Sequence, residues 1–194
     1  MTFNFDDIPT GQLLNPYLNF WFSEGFLVQR ASESPYESVA GAQLAEFIPA
    51  PLSNGRFNST HDLAMISVGP QSSNTCFQFN LQSLSLGCAS NRTFQDCHFW
   101  IWGLRHNSTT GREENVVASQ DVPTLACTRP RCNLTTKEFY GSYKNLTSII
   151  IQIRSGGKSR LWWADNLVVE WADDSCAATK CREKGVFALE GISS

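Results

Sequence analysis

The residues with the clearest chemical potential in this sequence are tryptophans flanked by other large apolar residues. Trp162 and Trp163 are neighbours, and Trp100 and Trp21 each stand between two apolar residues of a predicted strand. Successive side chains of a strand point to opposite faces, so part of each set must leave the core. Because an exposed indole ring stacks on the apolar face of a sugar, we interpret Trp162, Trp163, Trp100 and Trp21 as carbohydrate-binding residues. The alternative is that both faces of the sheet are covered and the rings are interior packing.

Three aspartates have the chemistry of a metal site. Asp6 and Asp7 follow the first predicted strand, and Asp165 precedes the last strong one. These strand ends meet in many β-sandwiches, and carboxylate oxygens are ligands that Ca²⁺ prefers. We therefore expect Asp165, Asp6 and Asp7 to hold a structural Ca²⁺. The alternative is that they cap ordinary turns.

No catalytic motif is present in the sequence with its required spacing. Neither the Gly-x-Ser-x-Gly turn of a serine hydrolase nor the His-Glu-x-x-His pair of a zinc peptidase occurs. The paired carboxylates are adjacent in the chain, whereas a glycosidase needs two carboxyl groups about 5 to 9.5 Å apart across a cleft. We therefore predict no catalytic residue and favour a protein that is not an enzyme.

The seven cysteines indicate an oxidising compartment. Six of them form three closely spaced pairs, and each pair closing a disulfide would stabilise the fold by about 2–3 kcal/mol. These predicted disulfides are Cys88–Cys97, Cys127–Cys132 and Cys176–Cys181. Cys76 is then left over, and we expect it to be a free, buried thiol in a strand. A four-thiolate zinc site is the alternative for the two closest pairs.

Five Asn-x-Ser/Thr sites also favour an extracellular protein. They contain Asn58, Asn91, Asn107, Asn133 and Asn145. Glycosylation requires exposure, so we expect these asparagines on loops or solvent-facing positions. The chain opens without a basic segment or an apolar run, and we interpret it as the mature form of a secreted protein.

Composition restricts the class of protein further. The chain has 194 residues, 42% of them hydrophobic and 12% aromatic, which is enough apolar surface to fold. Its 15 basic and 18 acidic residues leave a net charge of −3, so no basic field is available for nucleic acid. No apolar run is long enough to span a membrane.

Period-2 alternation of apolar residues predicts an all-β fold. The strand candidates are residues 3–5, 20–22, 26–28, 63–68, 76–86, 99–104, 115–119, 148–154, 161–163 and 166–171. The only helix-like segment is 38–47. So many short strands without amphipathic helices favour an antiparallel β-sandwich of the jelly-roll type. We predict one domain over residues 1–194, with a core at about 3–171 and a disulfide-tied tail at 172–194.

Several short motifs resemble a group of small secreted proteins of filamentous fungi. The motifs are Phe5-Asp6-Asp7-Ile8-Pro9 with Tyr17, the strand Phe77-Gln78-Phe79-Asn80-Leu81 leading to Gly87-Cys88, and Asp165-Asn166-Leu167-Val168-Val169. Such proteins are similar in architecture to galactose-binding-like sandwiches and carbohydrate-binding modules. The resemblance implies a β jelly roll, a sugar ligand, and a calcium-binding role for the aspartate at position 165.

The sequence therefore favours a secreted, non-catalytic protein that binds a cell-wall polysaccharide or another glycan. Two alternatives stay open. One is a small polysaccharide lyase or glycoside hydrolase on the same fold, with acids that converge only in three dimensions. The other is a secreted effector or interaction protein whose partner is a host or wall protein.

Overall fold

The computed structural model describes residues 1–49, 63–89, 96–127, 131–154 and 160–190. These residues contain fourteen strands and one α-helix. In chain order they are β1 Thr2–Phe3, β2 Gly11–Gln12, β3 Trp21–Phe22, β4 Phe26–Arg30, β5 Tyr36–Glu37, β6 Gln43–Phe47, β7 Leu63–Ser67, β8 Phe79–Cys88, β9 Asp96–Asn107, β10 Arg112–Leu125, β11 Cys132–Asn133, β12 Thr135–Glu138, β13 Ser148–Arg154, β14 Trp162–Trp171 and α1 Cys176–Glu190.

The strands form two antiparallel sheets that pack face to face. Sheet A has seven strands in the order β12-β8-β14-β6-β4-β2, with β1 paired to β14. Sheet B has five strands in the order β10-β9-β13-β7-β3. A short parallel pair, β5 and β11, lies outside both sheets. The predicted fold class, an antiparallel β-sandwich, is confirmed.

Large aromatic side chains fill the space between the sheets. The Trp162 ring of sheet A lies 5.3 Å from the Phe47 ring of the same sheet and 5.7 Å from the Phe99 ring of sheet B. Its side chain is fully buried. Rings at these separations are in favourable tilted or edge-to-face contact, so this tryptophan joins the two layers.

A second apolar cluster covers part of the outer side of sheet A. It consists of Tyr36, Leu44, Cys127, Leu134 and Trp163. The Tyr36 hydroxyl donates to the Cys88 carbonyl and accepts from the Cys88 and Cys127 backbone N–H groups, at 2.9–3.0 Å. Both faces of sheet A are therefore buried at this end.

The prediction that residues 38–47 resemble a helix is wrong. Its second half is strand β6, in which Leu44 contacts the outer cluster while Ala45 and Phe47 contact the central core. A strand that is buried on both faces loses the apolar–polar alternation that identifies strands. Composition alone then resembles that of a helix.

Two of the predicted disulfides are present, and the third is wrong. Cys88 bonds Cys97, and Cys127 bonds Cys132. Cys181 bonds Cys76 instead of Cys176, so Cys76 is not a free thiol; the unpaired cysteine in the described residues is the exposed Cys176. The reason is the helix α1, because residues five apart in a helix are separated by about 7.5 Å along its axis, which is too far for a disulfide.

Helix α1 is held against the sandwich by Arg182 as well as by the disulfide. The buried guanidinium donates to the carbonyls of Cys76 and Asp173 at 2.9 and 2.7 Å. It also lies 4.9 Å from the centre of the Trp171 ring, within the range of a cation–π contact. The disulfide-tied tail is thus confirmed, with a helical conformation that sequence patterns did not predict.

Candidate functional site

The solvent-facing side of sheet B carries a group of large side chains that are not part of the buried core. We call this surface the tryptophan face. Along β9, β13 and β7, alternate residues such as Phe99, Ile101 and Ile151 point into the core and are fully buried. The residues between them point outward. The tryptophan face comprises Trp21, Leu63, Met65, Trp100, Trp102, Ile150 and Gln152.

Strand register places these residues in adjacent rows. Trp102 pairs with Ile150, which pairs with Met65 on the next strand. One row further along, Trp100 pairs with Gln152, which pairs with Leu63. Directly paired residues have Cβ atoms about 4.5–5.5 Å apart, so each row is continuous across three strands.

The two central tryptophans form a single aromatic platform. Trp100 and Trp102 are both partly exposed, with ring centres 6.3 Å apart and planes inclined by 24°. They lie on the same face because they are two positions apart on β9. The two rings are thus in stacked contact with each other, and we call this pair the platform.

Trp21 lies on the same face at the far edge of sheet B. Trp21 is on β3, where it pairs with Ser67 of β7. Strand β3 is three strands from β9, so the two strands are about 14 Å apart across the sheet. Gly69, with φ +56°, lets the ring approach the backbone, since a Cβ atom there would lie 2.5 Å from the indole. The structure thus brings the predicted Trp21 and Trp100 onto one surface.

The other two predicted platform residues are not on this surface. Trp162 is 0% and Trp163 is 3% exposed, so the expectation that they bind sugar as exposed rings is wrong. Trp162 packs in the central core, and Trp163 packs in the outer cluster with Tyr36. The covered-face alternative holds for this pair. Trp102, which replaces them, is identifiable in the sequence by its i, i+2 relation to Trp100.

A histidine–aspartate pair borders the platform at one end. Asp121 pairs in register with Trp100, and the His98 Nδ1 atom lies 3.0 Å from an Asp121 carboxylate oxygen. Both side chains are exposed, at 47% and 38%. They supply a hydrogen-bond donor and acceptors beside the indole.

A partly buried carboxylate borders the opposite end. Glu113 pairs with His106 on β9, beside the hydroxyls of Ser148, Thr147 and Ser72. Burial raises the pKa of Glu113, and the neighbouring hydroxyls and His106 lower it by less. Although the hydroxyls are close, neither Glu113 Oε2 nor Ser148 Oγ makes a hydrogen bond of normal geometry within the described residues.

The raised pKa of Glu113 leads us to predict that the free energy of unfolding depends on pH. In the unfolded chain its carboxyl has the ordinary pKa of 4.5, and the folded state raises that value. The protonated form therefore favours folding below pH 4.5, and this contribution is lost as the pH rises through the folded pKa. We expect the free energy of unfolding of Glu113→Gln to exceed that of the wild type by an amount that grows across this window. Urea unfolding at several pH values measures it, and a constant difference would contradict it.

The predicted calcium ligands are only partly brought together. Asp6 Oδ1 accepts from the N–H groups of Ala42 and Gln43 at 2.8 and 3.0 Å. Asp165 is fully buried and its Oδ2 accepts from the N–H groups of Val39 and Ala40 at 2.6 and 3.1 Å. Two of the three aspartates thus bind one loop, residues 39–43. Burial raises the pKa of Asp165, the charge of Asp6 raises it further, and backbone N–H groups oppose both.

The third aspartate lies elsewhere. Asp7 accepts a hydrogen bond of 2.5 Å from the Tyr17 hydroxyl. No group of three or more His, Cys, Asp or Glu side chains is placed to hold a metal in the part of the chain that the structure describes. In Asp6 and Asp165 the carboxylate oxygens named above accept from backbone N–H groups. Calcium binding by Asp165, Asp6 and Asp7 stays a prediction.

The predicted glycosylation sites can be placed in part. Asn133 and Asn145 are exposed, and Asn107 is half-buried with its amide donating to Glu114 at 3.2 Å. Asn58 and Asn91 lie outside the described residues. Glycosylation itself stays a prediction.

The fold and this surface define a disulfide-bonded β-sandwich protein with an aromatic outer face. The chain belongs to the family described as Domain of unknown function (DUF7371), whose model matches residues 1–182. No curated protein matches the sequence. No helix within the described ranges is long and apolar enough to cross a membrane.

Several solved structures are similar to this chain in fold. The CBM22-1 xylan-binding domain of Paenibacillus barcinonensis Xyn10C is 12% identical, with 90% of this chain and 95% of that chain covered and a TM-score of 0.48. The CBM22-1–GH10 modules of Clostridium thermocellum Xyn10B, complexed with xylohexaose, are 12% identical, with 88% and 28% covered and a TM-score of 0.43. The C-terminal family 22 carbohydrate-binding module of Clostridium thermocellum Xyn10B is 7% identical, with 86% and 95% covered and a TM-score of 0.41. Likenesses this distant assign no ligand to this chain.

Proposed function

We propose that this protein is a secreted, non-catalytic protein that binds polysaccharide through the tryptophan face. The observation that carries the proposal is the partly exposed, nearly parallel Trp100–Trp102 pair on an outer sheet face. Neither indole belongs to the buried core between the sheets. A contiguous exposed apolar patch of this kind supports a binding site.

The surroundings of the platform favour a sugar ligand. Sugars present apolar C–H faces edged by hydroxyl groups, and they need flat rings flanked by hydrogen-bonding side chains. Here Gln152 lies beside Trp100 in the same row, and the His98–Asp121 pair lies at its end.

Charge favours an uncharged polysaccharide. The described acidic side chains at the two ends of the tryptophan face are Asp121 and Glu113. Each of these carboxylates lies beside a histidine, His98 or His106, so neither end offers an unbalanced charge that would attract a charged chain. We therefore infer a neutral polysaccharide.

The disulfides support an extracellular location. Three of them are present, and disulfides of this kind persist in oxidising compartments. The exposed Asn133 and Asn145 are compatible with attached glycans. Secretion and glycosylation are parts of the same proposal.

Affinity electrophoresis tests the proposal. We expect gels containing soluble xylan, mixed-linkage β-glucan or galactomannan to retard the protein in at least one case, and gels containing polygalacturonate not to do so. Retardation by none of the neutral polymers would overturn the proposal. Release of reducing ends or unsaturated products from the retained polymer would favour the lyase or hydrolase alternative instead.

A further inference from the structure

A second groove lies on the other sheet, at Tyr140. This residue follows β12, the edge strand of sheet A, and it is 74% exposed, more than any other described aromatic side chain. The groove has a volume of about 270 Å³ and is bordered by Tyr140, Asn80, Gln82, Lys144 and Glu170. A second hollow of about 580 Å³ is also bordered by Tyr140, together with Gln120 and Lys137. The ring thus borders two concave surfaces, and we call it the ridge.

The ring is held in place by its neighbours. The Tyr140 hydroxyl donates to the Glu138 carboxylate. The preceding residue, Phe139, is buried and packs on the Tyr143 ring with centres 4.8 Å apart. The following Gly141 turns the chain with φ +68°. An exposed ring on a fixed base loses little conformational entropy when a ligand stacks on it.

The groove beside the ring is lined by fixed polar groups. Gln82 Nε2 donates to Glu170 Oε2 at 2.7 Å, and Asn80 Oδ1 accepts from the Asn145 N–H at 3.0 Å. Lys144 adds a cationic donor to the lining of the groove. Amides, a carboxylate and an ammonium group together can donate to and accept from neighbouring hydroxyls of one sugar ring.

We propose that the Tyr140 groove is a second carbohydrate-binding site, which takes one neutral sugar unit stacked on the Tyr140 ring. Its volume suits a single pyranose better than a longer segment. Two acidic and two basic side chains, Glu138, Glu170, Lys137 and Lys144, border the ridge, so neither sign of charge predominates.

Two sites on two sheets make the protein bivalent. The tryptophan face is on the outer side of sheet B, while the groove residues Gln82 and Glu170 are on β8 and β14 of sheet A. One molecule can therefore bind two polysaccharide chains and link them. Bivalent binding also raises the apparent affinity for a polymer without any new contact.

The test compares Tyr140→Ala, Trp102→Ala and the double variant in the polymer gels named above and in turbidity assays with the same polymers. It uses the full chain treated with an endoglycosidase, since Asn145, a predicted glycosylation site, follows the groove residue Lys144 in the chain. We expect Tyr140→Ala to lose about tenfold and Trp102→Ala about thirtyfold in retention, and each of them to lose cross-linking turbidity. The double variant is expected to lose retention entirely. Tyr140→Phe keeps the ring but loses the hydroxyl bond to Glu138, and it is expected to lose less of both properties than Tyr140→Ala. The melting temperature of each variant is compared with that of the wild type, and an unchanged value shows that the variant is folded.

The inference depends on the proposed function only for the choice of polymers, and the outcomes separate the two. Full retention and turbidity in Tyr140→Ala would overturn the second site and leave the tryptophan face intact. If Tyr140→Ala lost all binding and Trp102→Ala bound as well as the wild type, the tryptophan face would be overturned as the binding surface instead. Wild-type turbidity that neither single variant changes would overturn both.

Discussion

Replacement of Trp102 by alanine is expected to weaken the binding of the retained polysaccharide by about thirtyfold. Half of the Trp100–Trp102 platform would be removed from the centre of the site. Central aromatic residues of a binding surface contribute about 2 kcal/mol or more, which corresponds to that factor. Isothermal titration calorimetry with an oligosaccharide of the retained polymer measures the effect, and Trp102→Phe is expected to lose less.

The matched control is Leu14→Ala, another apolar truncation on the surface. Leu14 is 73% exposed and lies outside the strands of sheet B. Its loss is expected to leave the dissociation constant unchanged. Equal affinity of Trp102→Ala and the wild type would show that the platform is not the binding surface.

Removal of the disulfide between Cys76 and Cys181 is expected to cost about 4–5 kcal/mol of unfolding free energy. The two cysteines are 105 residues apart, and a cross-link of that span restricts the unfolded chain strongly. The double variant Cys76→Ser/Cys181→Ser avoids a new free thiol. Urea unfolding under non-reducing conditions measures the loss.

Cys176→Ser is the control for this pairing. Cys176 is exposed and unpaired within the described residues, so its substitution is expected to change stability by less than about 0.5 kcal/mol. The local pairing predicted from sequence gives the opposite result, in which Cys176→Ser is destabilising and Cys76→Ser is nearly neutral. That opposite result would contradict the structure.

Strand positions were the most predictable part of the fold. In β13, Ile149, Ile151 and Ile153 alternate with partly exposed residues, and the alternation is visible in the sequence. The segment 38–47 was not predictable in this way, because its strand is buried on both faces. The 105-residue disulfide was unpredictable for a related reason, since spacing favours short loops and only the fold brings Cys76 to the tail.

The exposure of a candidate site residue was predictable where local alternation decides it. It was not predictable where segments distant in the sequence cover the residue. Trp100 stands on the outer face, as alternation against buried Phe99 predicts. The same reasoning fails for Trp163, because Tyr36 and Leu134, distant in sequence, cover that side of sheet A. The partners of the aspartates were likewise not predictable from the sequence, because Asp6 and Asp165 accept from one loop and Asp7 accepts from Tyr17.

The most direct test of the central claim is an NMR titration of the six tryptophan indole N–H signals with an oligosaccharide of the retained neutral polymer. Assignment comes from single Trp→Phe variants. We predict that the signals of Trp100 and Trp102 shift with saturation, while those of the buried Trp162 and Trp163 do not move. Saturable binding that leaves the Trp100 and Trp102 signals in place would contradict the assignment of the tryptophan face as the sugar-binding surface.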